Sequence, residues 1–235
     1  MSKRIVAETG LHKGIVATNK ANSTSNFIRV YSRDALETPN NLVTHLPYTP
    51  FHYPLAYVLH RMGAELSLPA LVVGSMVPDL EIPIFFLVLG SQAPNRMVLH
   101  SFLGASTVGT LLATFITIWT YPPLTSKLFA LNATKVKRKC SLSMNLFLSS
   151  LLGVLSHALL DVTNHDYNPI LWPFISISDT PSPITPILGG ALTASILVHS
   201  GMALLFVALF VHKRENFWEQ ILIGRESAWP HEHPY

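Results

Sequence analysis

The sequence predicts an all-α protein, a polytopic membrane helix bundle of about four transmembrane passes with short interfacial helices. Three observations predict it. Of 235 residues, 49% are hydrophobic and only 12% charged, where a soluble domain carries about 25% charged residues. The apolar residues gather into four stretches, each near the ~20 residues needed to cross a bilayer. The basic residues collect in one loop and on the flanks, as membrane topology demands.

Taken in order, residues 1–46 are polar, rich in Asn, Ser and Thr, and lack sustained periodicity, so they read as a weakly ordered arm. No secretory signal peptide is visible. Residues 47–223 form the expected bundle and 224–235 a tail. Pro54 to Met62 ends at Gly63 and reads as a short interfacial or packed helix. Leu68 to Leu89 is the first apolar stretch, interrupted by Pro78, Asp79, Glu81 and Pro83; a break is expected at Val77-Pro78-Asp79, turned into the bundle, because freed backbone groups need protein or water. The second pass runs from about Met97 to Trp119 and stops at Pro122-Pro123. The third runs from Met144 to about Thr163. The fourth runs from Ile187 to Val211, with Thr185 and Pro186 as its start and Lys213-Arg214 as its stop. Phe217, Trp218, Ile221 and Leu222 then suit a helix lying in the interface.

Charge orients the bundle. Lys127, Lys135, Lys137, Arg138 and Lys139 lie between passes two and three, and residues 165–186 hold no Lys or Arg. The positive-inside rule places both termini and the basic loop in the cytoplasm of a cell-membrane protein. The net charge of +3 is small, and the basic residues do not interleave with aromatics, which excludes a nucleic-acid groove. Cys140 is the only cysteine, so no intrachain disulfide or cysteine-rich zinc site can form. Asn22-Ser23-Thr24 and Asn132-Ala133-Thr134 match the glycosylation pattern but carry little weight without a secretory context.

The run Ser156 to His165 bears the chemistry. His157, Asp161 and His165 recur every fourth residue, so a helix puts them on one face. Ionisable groups in a membrane-length segment are costly and face a partner, a cavity or a metal. His52, Asp79 and His100 join them as candidates. Three or four His and carboxylate ligands with an open position are what a catalytic zinc site uses, and such an ion activates water. For Asp79 a helix-terminal carboxylate satisfied by backbone N–H groups is the competing reading. For His199, in mid-pass, a hydrogen bond to a neighbouring helix is expected. His12, His45, His60, His212, His231 and His233 read as solvated. Glu81 fits either a supporting base or an interface residue, and Ser75, Ser101 and Ser156 stand near the candidates. Trp172 and the prolines after it read as an interfacial cap.

The blocks Pro47-Tyr48-Thr49-Pro50-Phe51-His52, Gly74-Ser75-Met76-Val77-Pro78-Asp79, Leu99-His100-Ser101-Phe102-Leu103-Gly104 and Leu152 to Asp161 resemble the signature of a prokaryotic multi-pass membrane family, domain of unknown function 4184. That family is similar to the inner-membrane metal-dependent hydrolases and, more remotely, to zinc-dependent phospholipase C. The resemblance implies metal ligation by His52, Asp79, His100, His157 and Asp161. The chain departs from the hydrolase pattern at Glu81, at Val98-Leu99 before the block histidine, and at Thr163-Asn164-His165.

The expectation is an integral membrane hydrolase dependent on a divalent metal, zinc first. It would act on an ester or phosphoester, a small molecule or a lipid drawn from the membrane. Asp79, His157 and Asp161 are the expected catalytic residues, and His52, Asp79, His100, His157, Asp161 and His165 the expected ligands. Two other classes stand beside it: a transporter or proton-conducting bundle, and a non-catalytic membrane adaptor.

Overall fold

The computed structural model describes residues 49–63, 65–89, 96–212 and 216–224. The N-terminal arm, the tail beyond Gly224, Asn22-Ser23-Thr24, Lys213-Arg214, and His12, His45, His231 and His233 lie outside them. Among the described residues every regular element is helical, with one isolated bridge between Tyr167 and Pro181. Four segments are long and apolar enough to cross a membrane: Leu68–Val88, Phe102–Trp119, Met144–Val162 and Ala191–Val211.

The first pass is built from three pieces. Helix α1 (Tyr53–Met62) precedes it. Helix α2 (Leu68–Gly74) ends where Pro78 removes a backbone donor; a 3-10 turn (Val77–Leu80) follows, and α3 (Glu81–Leu89) completes the span. The expected break is therefore present, and it carries the buried Asp79.

The second pass starts later than its apolar run suggests. Met97, Val98 and Leu99 do not enter the helix, because their backbone N–H groups donate to the Glu81 carboxylate at 3.1, 2.5 and 3.1 Å. Ser101 then caps α4 (Phe102–Gly104), its Oγ accepting the Gly104 N–H at 3.0 Å. A π-helical turn (Ala105–Gly109) leads into α5 (Thr110–Trp119). Pro122-Pro123 does not end the helical course; both prolines sit in the first turn of α6 (Tyr121–Phe129), where a missing N–H costs nothing.

The basic loop carries α7 (Ala133–Lys139), capped by Asn132, whose Oδ1 accepts the Lys135 N–H at 3.0 Å. Helix α8 (Met144–Val162) is the third pass, capped by Ser143. Helix α9 (Ala191–His212) begins after the expected Ile187, because Gly189 and Gly190 adopt φ of 86° and 96°. Helix α10 (Phe217–Leu222) closes the described chain.

The bundle centres on α2, whose seven residues are all buried and which packs most heavily on α8. Gly74 and Gly153 set that contact. A Cβ on Gly74 would stand 2.6 Å from the Ser150 carbonyl oxygen, and one on Gly153 2.6 Å from that of Leu71. The two backbones touch, as small residues allow where lipid offers no hydrophobic drive to association. The short helices are packed, not free: the Tyr53 hydroxyl donates to the Ile221 carbonyl at 2.8 Å and that of Tyr121 to Leu222 at 2.7 Å. Lys135 pairs with Glu219, joining α7 to α10. His60 is not simply solvated, since its Nδ1 donates to the Leu66 carbonyl at 2.7 Å. The fourth pass is the opposite of α2, with only 6% of its apolar window buried.

Candidate metal centre

Five of the six expected ligands come from four chain segments. His52 ends the 3-10 turn Thr49–His52 and stands at the N-terminal cap of α1. Asp79 lies in the turn that breaks the first pass. His100 belongs to the turn before the second pass. His157 and Asp161 lie one turn apart on the inner face of α8, as their spacing predicts. All five are buried, His157 completely.

Their donor atoms converge. His100 Nε2 and His157 Nε2 are 3.3 Å apart. Asp79 Oδ1 is 3.7 Å from His100 Nε2 and 3.5 Å from His157 Nε2. Asp161 Oδ2 is 3.6 Å from each of the same two nitrogens. Ligand bonds of about 2.0–2.2 Å in tetrahedral array place donors roughly 3.3–3.6 Å apart, so these separations suit a single small divalent ion.

The hydrogen bonds behind the rings fix which nitrogens face inward. His157 Nδ1 is 2.7 Å from the Ser75 carbonyl oxygen, which can only accept, so Nδ1 carries the proton. His100 Nδ1 is 3.0 Å from Glu81 Oε2, a carboxylate already taking three backbone N–H groups, so it too donates. Rings so held turn their Nε2 atoms toward each other, beside two carboxylates. Such a set, buried and closely spaced, could hold a cation, and backed histidines of this kind are the usual metal ligands. Among buried atoms, Asp161 Oδ2 finds no hydrogen-bond partner. The residues present therefore fit a metal.

His52 is held by packing: its ring stacks on that of His157 with centroids 3.9 Å apart. Burial first, and then His157 beside it, push the His52 pKa down to about 3, which keeps the ring neutral. His165 stands at the margin, partly buried, with Nε2 3.9 Å from Asp161 Oδ1. Burial and then Arg96 push it down to about 3 as well.

Of three further participants, the sequence leaves Glu81 between two roles and gives no sign of Arg96 or Asn164. Glu81 holds the His100 ring, and its signal was present, since a carboxylate inside an apolar pass is costly. Arg96 places its Nε 3.2 Å from Asp161 Oδ2; a lone arginine in a short loop gives no warning of that. Asn164 is buried with both side-chain polar atoms unpartnered. The three serine hydroxyls are bystanders. Ser75, Ser101 and Ser156 each donate to a backbone carbonyl three residues back, so none addresses a histidine.

A cavity of about 420 Å³ adjoins the cluster, lined by His52, Asp79, Arg96, Asp161, Asn164 and His165 on one side and by Ser195 and His199 of α9 on the other. His199 bonds to Ser195 on its own helix, one turn back, at 2.7 Å to the carbonyl oxygen. Its ring meets Phe51 edge-on at 5.6 Å. Trp172 does not line this cavity. Its segment folds against the adjoining helix ends, with Phe102 N–H donating to the Ile170 carbonyl at 2.9 Å and Ser182 Oγ to that of Val162 at 2.5 Å.

A family model described as YdjM inner membrane protein matches residues 43–223. The chain belongs to the YdjM inner membrane protein family. The YdjM match covers well over half of the chain and spans the whole cluster from His52 to His165. It agrees with the four apolar segments in making this a membrane protein. No curated protein and no solved structure matches the chain. The sequence blocks and the YdjM match thus meet at an inner-membrane family, and the likeness to hydrolases rests on the blocks alone.

Proposed function

We propose that this chain is an integral-membrane hydrolase dependent on a divalent ion, zinc first. The observation that supports it is the convergence of His100 Nε2, His157 Nε2, Asp79 Oδ1 and Asp161 Oδ2 at separations of 3.3–3.7 Å. When bound, the ion supplies Lewis-acid activation of an ester or phosphoester and of the water that attacks it. The chain's own residues do the rest. Ser75 and Glu81 hold the two rings by their outer nitrogens. The cavity offers a substrate a place between the cluster and α9. With the basic loop in the cytoplasm, the cluster lies toward the opposite membrane face, within reach of lipid. A proton relay would need titratable groups continuing from the cluster toward the basic loop. Among the described residues, the buried polar groups there include hydroxyls such as those of Thr117, Thr125 and Ser149, each donating to its own helix.

Elemental analysis of detergent-purified protein tests the reading. Zinc, manganese or iron is expected at about one ion per chain or more, falling at least about tenfold in His157→Ala and Asp161→Asn. Hydrolysis of lipid or nitrophenyl phosphoester probes is expected to fall with it. A monodisperse wild-type preparation that holds far less than one ion per chain and takes up none on dialysis overturns the proposal.

A further inference from the structure

The three buried histidine rings fall into two relations. His100 and His157 meet edge-on, with an interplanar angle of 69° and Nε2 atoms 3.3 Å apart. Their planes cross, so both lone pairs reach one point. His52 and His157 are stacked instead, with centroids 3.9 Å apart and a tilt of 15°. A metal lies in the plane of the imidazole that binds it, along the nitrogen lone pair. Two planes so nearly parallel do not meet within a bond length of about 2.1 Å from either nitrogen. His52 therefore cannot join His157 on the same ion with both rings in plane. Yet the ligand atoms of His52, Asp79 and His157 all lie within 4.8 Å of one another.

Asp161 divides in the same way. Its Oδ2 faces His100 and His157 at 3.6 Å each. Its Oδ1 faces His52 Nε2 at 3.8 Å and His165 Nε2 at 3.9 Å, beyond hydrogen-bond reach of either. His52 Nδ1 is buried and finds no hydrogen-bond partner. The other ring nitrogen, Nε2, is turned toward Asp161 Oδ1 and is the atom an ion would take.

We infer that the centre is dinuclear: a second divalent cation is held by His52, His165 and Asp161 Oδ1, with the Asp161 carboxylate bridging it to the first ion and Asp79 within reach of both. Both stacked rings turn Nε2 toward the Asp161 carboxylate, His52 at 3.8 Å from Oδ1 and His157 at 3.6 Å from Oδ2, and with centroids 3.9 Å apart they suit the ion spacing of about 3.5–4 Å found in two-metal hydrolytic sites. The second position lies on the cavity side, since His52, Asp161 and His165 all line that cavity. Arg96 also borders it, 3.2 Å from Asp161 Oδ2, on the flank of the bridging carboxylate. The inference rests on the reading that the cluster binds metal at all.

The test is a manganese titration of chelator-stripped full-length protein in detergent, read by calorimetry and by electron paramagnetic resonance. Wild type is expected to bind about two ions per chain, with the six-line signal of the first replaced by an exchange-coupled spectrum as the second enters. His52→Ala and His165→Ala, each checked for monodispersity by size exclusion, are expected to bind about one ion with an uncoupled spectrum. The coupling in wild type needs no variant, so a misfolded variant does not spoil the test. One ion per chain in wild type, unchanged in His52→Ala, overturns the dinuclear centre and leaves the mononuclear reading standing. No bound ion in any preparation overturns both.

Discussion

Glu81 is the residue on which the orientation of His100 depends. Its two oxygens take three backbone N–H groups and the imidazole Nδ1–H together, so the carboxylate both closes the turn before the second pass and aims the ring. Glu81→Gln keeps the shape but turns an amide donor toward donors. The expected result is about 10–100-fold weaker metal binding, measured by competition with a chelating dye. Arg96 acts at a different point. It is the cation of the cavity wall, and Arg96→Ala is expected to raise KM for an anionic phosphoester about tenfold or more while bound metal stays unchanged. A fall in metal content instead would make Arg96 a support for Asp161. At this scale the sequence was legible where chemistry and periodicity coincide. His157 and Asp161 share a face because they are four apart. Glu81 was visible as a costly group, but its role depended on residues 97–99 folding back over it, which no local pattern encodes.

Among the elements, the contact between α2 and α8 positions the cluster. It brings the Ser75 carbonyl to His157 Nδ1 and the turn bearing Asp79 beside α8. Gly153→Val would drive side-chain atoms into the backbone of α2. A loss of about 1–3 kcal/mol is expected from the overpacking, read as a lower Tm in detergent, and metal affinity should fall with it as the ligands part. Gly201→Ala in α9 is the control, since nothing lies within 4 Å of the added atom. It is expected to leave Tm level or slightly higher. Pass lengths and the break at Pro78 were legible because hydropathy and proline act locally. The start of α9 was misplaced because apolar Ile187 and Leu188 hid the left-handed pair Gly189-Gly190. The role of Gly74 and Gly153 is pairwise across the fold and leaves no mark in either segment alone.

For the whole molecule, the basic loop predicts the orientation in the membrane, and labelling tests it. Cys140 helps, because it is buried and burial pushes its thiol up to about 12, so the native cysteine stays silent. Lys137→Cys in α7 is expected to react only with reagent admitted to the cytoplasmic side, and Tyr167→Cys only from the other; both positions are exposed. The reverse pattern would invert the topology and leave the cluster's geometry untouched. The dispersal of the donors among four segments has a further effect. An ion seated among the turn before α1, the break in the first pass, the turn before the second and the end of α8 is a staple across the bundle, and unfolding must eject it. Each tenfold rise in free ion above its Kd should then add about 1.4 kcal/mol to stability. The same protein should melt at temperatures set by the chelator in the buffer, so that in a metal-starved cell its lifetime, and not only its turnover, would track supply.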